Sequence, residues 1–477
     1  MNKQDASHEN EGAIPNGDLP QLFSPALTLV CVLVCLLGFG VILRSTSLSE
    51  KPILNVSSSR DLERLASRIL AFEAQVQRLS SFEQVMYALG APEQKTQDDL
   101  LLWYKELLAE NPHILNRVYL GLLLGEFREP SALEAFLEEF PENTALSRMF
   151  QEMLAVAYLG GISTMPYHEM QARLAEEIPG HWFYYQLSQR LAERAGDGTL
   201  QASLAEQLDR QGVSVLWHWR VGLGMEFVLL AFGGIGLALY LRTPFVSRRP
   251  VYGFWTFGQG VAVLSRGGAM TVLVIGCLVL LPTGPSLLRE YGAILLYLPI
   301  VIVSYVLLFR SRPYVLSQVF GWSPFLPRLR ASLPVALMVV GVGLLGDWGM
   351  MIVGDSLGYT VHWTEWFVPD LVWGSWGQVL KTLTEFVLVA PFFEEIIFRG
   401  LLFPTLHAKV GGHLAIMGSA LFFALAHGYG FVAFLAVLWS GLLWGWAYAR
   451  TGSLLPGMIA HAINNGLVGY SLLAFFR

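Results

Sequence analysis

The sequence predicts an all-α, polytopic membrane protein of about eight or nine transmembrane helices, with a soluble helical module inserted after the first. Three observations carry that expectation. Of the 477 residues, 54% are hydrophobic and 14% are charged, with a mean hydropathy of +0.48, whereas soluble domains carry about 25% charged residues. The charge is partitioned, since residues 51–220 hold 38 of the 68 Lys, Arg, Asp and Glu side chains. Beyond residue 220 the apolar runs follow one another closely, each about the 20 residues that a helix needs to cross a bilayer.

Residues 1–23 form a polar, acidic tail, followed by an apolar run over 24–43. No small-residue cleavage site follows that run, so it reads as an uncleaved anchor and not as a signal peptide. Residues 50–220 read as the soluble α-helical domain. Apolar residues recur at three- and four-residue spacing in DLERLASRILAFEAQVQRL and ALSRMFQEMLAVAYL, the period of amphipathic helices. Breaks at Gly90–Pro92, Asn111–Pro112, Pro141 and Pro179–Gly180 cut it into five or six helices. Helix pairs of this size admit a repeat-like solenoid, but the tetratricopeptide Trp/Gly/Tyr pattern is missing, which leaves an irregular bundle as the default.

Residues 221–330 read as transmembrane helices leading to a core over 331–477. Candidate spans lie near 221–241, 268–287, 292–309, 332–353, 373–398, 413–428, 431–449 and 454–474. Arginines gather in 242–266 and 310–331, while 354–372 has no Lys or Arg. The positive-inside rule puts the first two loops in the cytoplasm, and 354–372 and the module outside. Arg44 and Lys51 run against that rule, and 250–264 is apolar enough to be a re-entrant segment or an extra span, which would flip the module. A net charge of −6 without a basic stripe gives no reason to expect nucleic acid. Cys31, Cys35 and Cys277 lie in apolar runs and suit neither a disulfide framework nor a thiolate zinc site.

Ionisable groups in apolar segments are expensive and therefore functional candidates. On APFFEEIIFRG, Glu395 and Arg399 stand one turn apart and can pair, while Glu394 points about 100° away. FFALAHG places Phe423 one turn before His427, and HAINNG puts His461 and Asn465 on one helical face. Each has a bland reading: a structural ion pair, a core histidine, an interhelical amide. Spread over three apolar segments, the set would cost several kcal/mol unless its members converge. Trp439, Trp444 and Trp446 read as packing and interface anchors.

E-E-x-x-x-R (Glu394, Glu395, Arg399), F-x-x-x-H (Phe423, His427) and H-x-x-x-N (His461, Asn465) resemble the signature of the type II CAAX prenyl endopeptidases. These belong to the larger CPBP family of intramembrane proteases, which includes bacteriocin-processing and abortive-infection proteins. The motifs stand in family order within 72 residues, and the resemblance covers roughly 330–477, leaving the module outside it. It implies an intramembrane endopeptidase in which Glu394 activates a water shared with His427. His461 and Asn465 would form the oxyanion hole, and Glu395 and Arg399 a structural pair, with Phe423 in support. Its substrate would be a membrane-associated peptide or protein, prenylated in the best-understood relatives. Glu394, His427 and His461 could instead supply a catalytic zinc site, although H-E-x-x-H is absent; metal-free catalysis is the favoured expectation. The alternatives are a non-catalytic scaffold or immunity-type protein of the same fold, and a proton-relaying transporter, for which no inverted repeat is visible. The expected location is a bacterial inner membrane, with the module recruiting a protein partner.

Overall fold

The computed structural model describes residues 23–47, 56–90, 93–140, 144–242, 254–359, 361–365 and 367–477. The tail over 1–22 lies outside them. No strand occurs among the described residues, and the chain is a helical membrane protein. After the anchor α1 (Pro25–Ser47), the module comprises α2 (Val56–Glu73), α3 (Ser81–Gly90), α4 (Glu93–Glu110), α5 (Ile114–Phe127), α6 (Pro130–Glu138), α7 (Ala145–Leu154), α8 (Tyr167–Glu177) and α9 (Trp182–Ala195). The expected breaks at Gly90–Pro92, Asn111–Pro112 and Pro179–Gly180 fall between helices; the helix count is higher because the chain also turns near 74–80, at Arg128–Glu129 and over 160–166. Only the first of these lacks Gly/Pro punctuation, since Pro130 opens α6 after the second and Gly160, Gly161 and Pro166 stand in the third.

α10 (Gly198–Arg242) is a single 45-residue helix that leaves the module and enters the apolar part of the chain without a break at residue 220. It packs along α14 (Phe325–Ser356), with α11 (Phe257–Leu280), α12 (Gly284–Ser304) and α13 (Pro313–Phe320) between them in sequence. A Cβ on Gly233 would come within 2.6 Å of Gly341 Cα, so only small residues permit this approach of two backbones. Six helical stretches among the described residues are long and apolar enough to cross a membrane: Gly198–Arg242, Phe257–Leu280, Glu290–Phe309, Pro313–Ser356, Phe431–Thr451 and Leu455–Phe476. Pro25–Val41 and Gly412–Leu425 are apolar but shorter. At 1.5 Å per residue the second reaches only about 21 Å, less than the ~30 Å hydrocarbon core.

The stretch expected as a span near 373–398 differs most. It is built from α15 (Pro369–Trp373), α16 (Trp376–Thr384) and α17 (Ala390–Glu395), with wide, π-type turns over Glu385–Val389 and Ile396–Leu402. It carries Lys381, Glu385, Glu394 and Glu395, too many charges for a lipid-facing helix. The remaining helices are α18 (Phe403–Val410), α19 (Gly412–Leu425), α20 (Phe431–Thr451) and α21 (Leu455–Phe476).

The module does not hang free. Its core of Leu62, Tyr104, Tyr119, Phe150 and Phe183 is continuous with Trp363, Leu371, Leu472 and Phe476. Polar contacts reinforce the join: Trp373 Nε1 donates to Asp61 at 2.5 Å, Arg64 donates to the Phe476 carbonyl at 2.8 Å, and Lys95 pairs with Asp355. The module therefore packs on Trp363, Leu371 and Trp373 and on the Asp355 end of α14, the end away from Arg328 and Arg330.

Candidate active site

The α16–α17 stretch begins with a capping box, Ser375 accepting from Gln378 N while the Gln378 side chain accepts from Ser375 N. The chain then widens over Glu385–Val389 just before Pro391, whose missing N–H breaks the regular ladder. Glu394 and Glu395 follow, between two wide turns, and such turns recur at functional sites.

Glu395 and Arg399 are fully buried, and the guanidinium Nη1 donates to Glu395 Oε1 at 2.7 Å while Nη2 donates to the Gly441 carbonyl at 3.0 Å. The guanidinium carbon also lies over the Phe423 ring at 4.5 Å, an arrangement worth more when desolvated. Glu394 takes a different environment. Its Oε1 accepts from the Tyr297 hydroxyl at 2.5 Å, and its Oε2 lies 3.7 Å from His461 Nε2. His461 is buried between the two acids, with Nδ1 3.5 Å from Glu395 Oε1 and its ring stacked on Trp444 at 3.9 Å.

Phe423 is the hub of the aromatic layer. It touches His427 at 4.7 Å, Trp444 at 5.6 Å and His461 at 5.8 Å between ring centroids. His427 follows the end of α19 and is half-buried; its Nδ1 lies 2.8 Å from the Phe423 carbonyl. A carbonyl only accepts, so Nδ1 carries a proton toward it, and in the neutral ring Nε2 is then the acceptor. Asn465 is half-buried, and its Nδ2 donates to the Phe386 carbonyl at 2.8 Å, using one of two amide N–H groups.

Six of the sequence-derived candidates form one connected cluster: Glu394 and Glu395 meet His461, Glu395 meets Arg399, Arg399 and His461 meet Phe423, and His427 joins through Phe423. Asn465 is tied to the Glu385–Val389 turn. Glu395 Oε2, Arg399 Nε and His461 Nδ1 are buried without a hydrogen-bond partner among the described residues. That leaves polar capacity inside the cluster beyond what its own members satisfy.

Among the described residues no group of three His, Cys, Asp or Glu side chains is placed to hold a metal ion. Of the expected zinc ligands, Glu394 and His461 lie 3.7 Å apart, while His427 joins them through Phe423.

Sequence reasoning missed Tyr297, in an apolar run well before the motifs; its one visible signal is a hydroxyl two residues before Pro299 inside a span. It also missed Gly457, where a Cβ would stand 2.7 Å from Glu395 Oε2. Trp444, read as a packing residue, packs on His461 itself. Neither the comparison with curated proteins nor that with solved structures gives a match. Residues 375–467, which carry all three motifs, match the model of the family described as type II CAAX prenyl endopeptidase Rce1-like, the family that those motifs resemble.

Proposed function

We propose that this CAAX protease-family membrane protein is an intramembrane endopeptidase that hydrolyses a peptide bond of a membrane-anchored peptide or protein, with Glu394 as the base. One observation carries the reading: of the two buried acids, Arg399 binds Glu395, while among the described residues Glu394 has no Lys or Arg in an ion pair and faces His461 and a tyrosine hydroxyl. Glu394 takes a proton from water as the water oxygen bonds to the scissile carbonyl carbon. The Nε2 lone pair of His427 orients that water. The carbonyl oxygen gains the negative charge, which the second Asn465 N–H and His461 meet as donors. The C–N bond then breaks and Glu394 returns its proton to the leaving amine.

The buried Glu395–Arg399 pair holds α17 against α20 through the Gly441 carbonyl. On the same reading the protein resides in a bacterial inner membrane, and the module selects the substrate or binds a protein partner. The test compares wild type with Glu394→Gln, purified in detergent, on a library of membrane-anchored and prenylated peptides read by mass spectrometry. Cleavage abolished by Glu394→Gln and spared by chelator is expected. Loss on chelation restored by zinc would replace the metal-free mechanism. No cleavage, with both forms equally active in the cell, would instead assign a scaffold.

A further inference from the structure

We propose that a groove between α3, α10, α14 and α21 binds a phospholipid whose headgroup ends in a primary ammonium, such as phosphatidylethanolamine. The groove comprises two adjoining cavities of about 470 and 300 Å³, which share Trp219, Leu223 and Glu226 on α10 and Ser471 and Leu472 on α21. Its walls are apolar, apart from two acids and a few small polar groups. Glu226 and Asp347 line the larger cavity together with Trp219 and Trp348.

Neither acid has a cation among the described residues. Glu226 Oε2 accepts from Trp348 Nε1 at 3.1 Å, and Asp347 Oδ1 is buried with no hydrogen-bond partner among them. No Lys or Arg lines either cavity; His218, with Nδ1 also buried and unpartnered, stands at the edge of the smaller one. Two uncompensated carboxylates at membrane depth call for a positive partner. Trp219 and Trp348 line the same cavity, and an indole ring is the aromatic side chain that attracts an ammonium group best.

Depth identifies the partner as a lipid. Arg220 pairs with Glu83 of the module at 2.6 Å, and Lys95 of the module pairs with Asp355. Glu226 lies six residues beyond Arg220 and Asp347 eight residues before Asp355. At 1.5 Å per residue both carboxylates sit about 9–12 Å inward from the module's ion pairs. That is one shared level, just below the aqueous face, where a headgroup meets its acyl chains. The tail then lies along Leu344, Leu467 and Leu472. A three-donor ammonium can satisfy Asp347 Oδ1 and Glu226 together.

The inference is independent of the hydrolase reading, because its readout is binding. The full chain, purified in a neutral detergent, is titrated with dioleoyl phosphatidylethanolamine and, separately, with dioleoyl phosphatidylethanol, the same lipid without the ammonium. Native mass spectrometry counts the retained lipid. Wild type is expected to retain the amine lipid at least tenfold more tightly, and Asp347→Asn, nearly isosteric, to lose that preference. Trp219→Phe, which keeps both acids, is expected to weaken it by a smaller factor and guards against misfolding of the first variant. Equal retention of both lipids by wild type, or an unchanged preference in Asp347→Asn, would overturn the proposal. So would saturable binding of an apolar lysine-containing peptide with no preference between the lipids, which would give the groove to a protein segment.

Discussion

Replacing Arg399 by methionine removes a charge whose partner stays behind. The variant loses two hydrogen bonds, to Glu395 at 2.7 Å and to the Gly441 carbonyl at 3.0 Å, and the cation over Phe423. The stranded carboxylate costs more than these contacts: Glu395 has no exposed surface, and an uncompensated buried charge costs about 3–5 kcal/mol. His461 Nδ1, 3.5 Å from the same oxygen, remains as a polar neighbour of that carboxylate, so the expectation is nearer 3 than 5 kcal/mol. The double variant Glu395→Leu/Arg399→Met removes both charges at similar volume, and replacing a buried pair in this way is often close to neutral. Unfolding followed in mixed micelles of increasing denaturing-detergent fraction orders the three proteins. The single variant should be the least stable, with the double variant between it and wild type. If the single variant matched wild type within about 1 kcal/mol, or the double variant were no more stable than the single, Glu395 would not depend on Arg399 and the reasoning would fail.

Other outcomes follow from the same contacts. Tyr297→Phe deletes the 2.5 Å hydrogen bond to Glu394; at about 1.5–3 kcal/mol for a bond to a charged group, kcat/KM for the proposed cleavage should fall roughly 10- to 100-fold with stability little changed. An unchanged kcat/KM would remove Tyr297 from the site. Gly457→Ala pushes a methyl within 2.7 Å of Glu395 Oε2 and should cost about 1–3 kcal/mol, measurable in the same unfolding series; a neutral result would mean that α21 can back away from α17. In the module, burial pushes the Glu63 carboxyl up from 4.5 to about 7, with Tyr119 and Arg60 opposing. The folded state thus holds that proton more tightly, and its stabilising effect is complete below 4.5 and lost as pH rises toward 7, a fall of about 3 kcal/mol. Hydrogen exchange of α2 in the full chain across pH 4.5–7 should show it after correction for intrinsic rates. Glu63→Gln should flatten the trend, and equal slopes in both proteins would contradict it.

What one strand of sequence can specify is local, and the reach of each inference shows it. The three- and four-residue periodicity of 61–79 is a local property, and α2 carries it as far as Glu73, where the chain turns. The Glu395–Arg399 contact needs nothing but the i, i+4 geometry of their own segment. Gly and Pro marked the breaks beside residues 90, 111 and 179, and Pro130 stands at the turn after Arg128, whereas the turn near 74–80 has no Gly or Pro to mark it. The broken winding of 376–402 has only Pro391 as a local mark, because its first wide turn is held against α21 and α12 and its second against α19 and α11.

Hydropathy and charge partition alone determined that this is a helical membrane protein with a charged helical insert, and three motifs marked the segment that matches the family model. Only the tertiary structure decided that Tyr297, 97 residues away, donates to Glu394, that His461 sits between two acids on the face of Trp444, and that the module core runs on into the end of α21. The same holds for the pairing of Glu226 with Asp347 in one groove. The physical reason is that a side chain's neighbours along its own helix follow from 3.6 residues per turn, while its neighbours across helices follow from packing that no local period encodes.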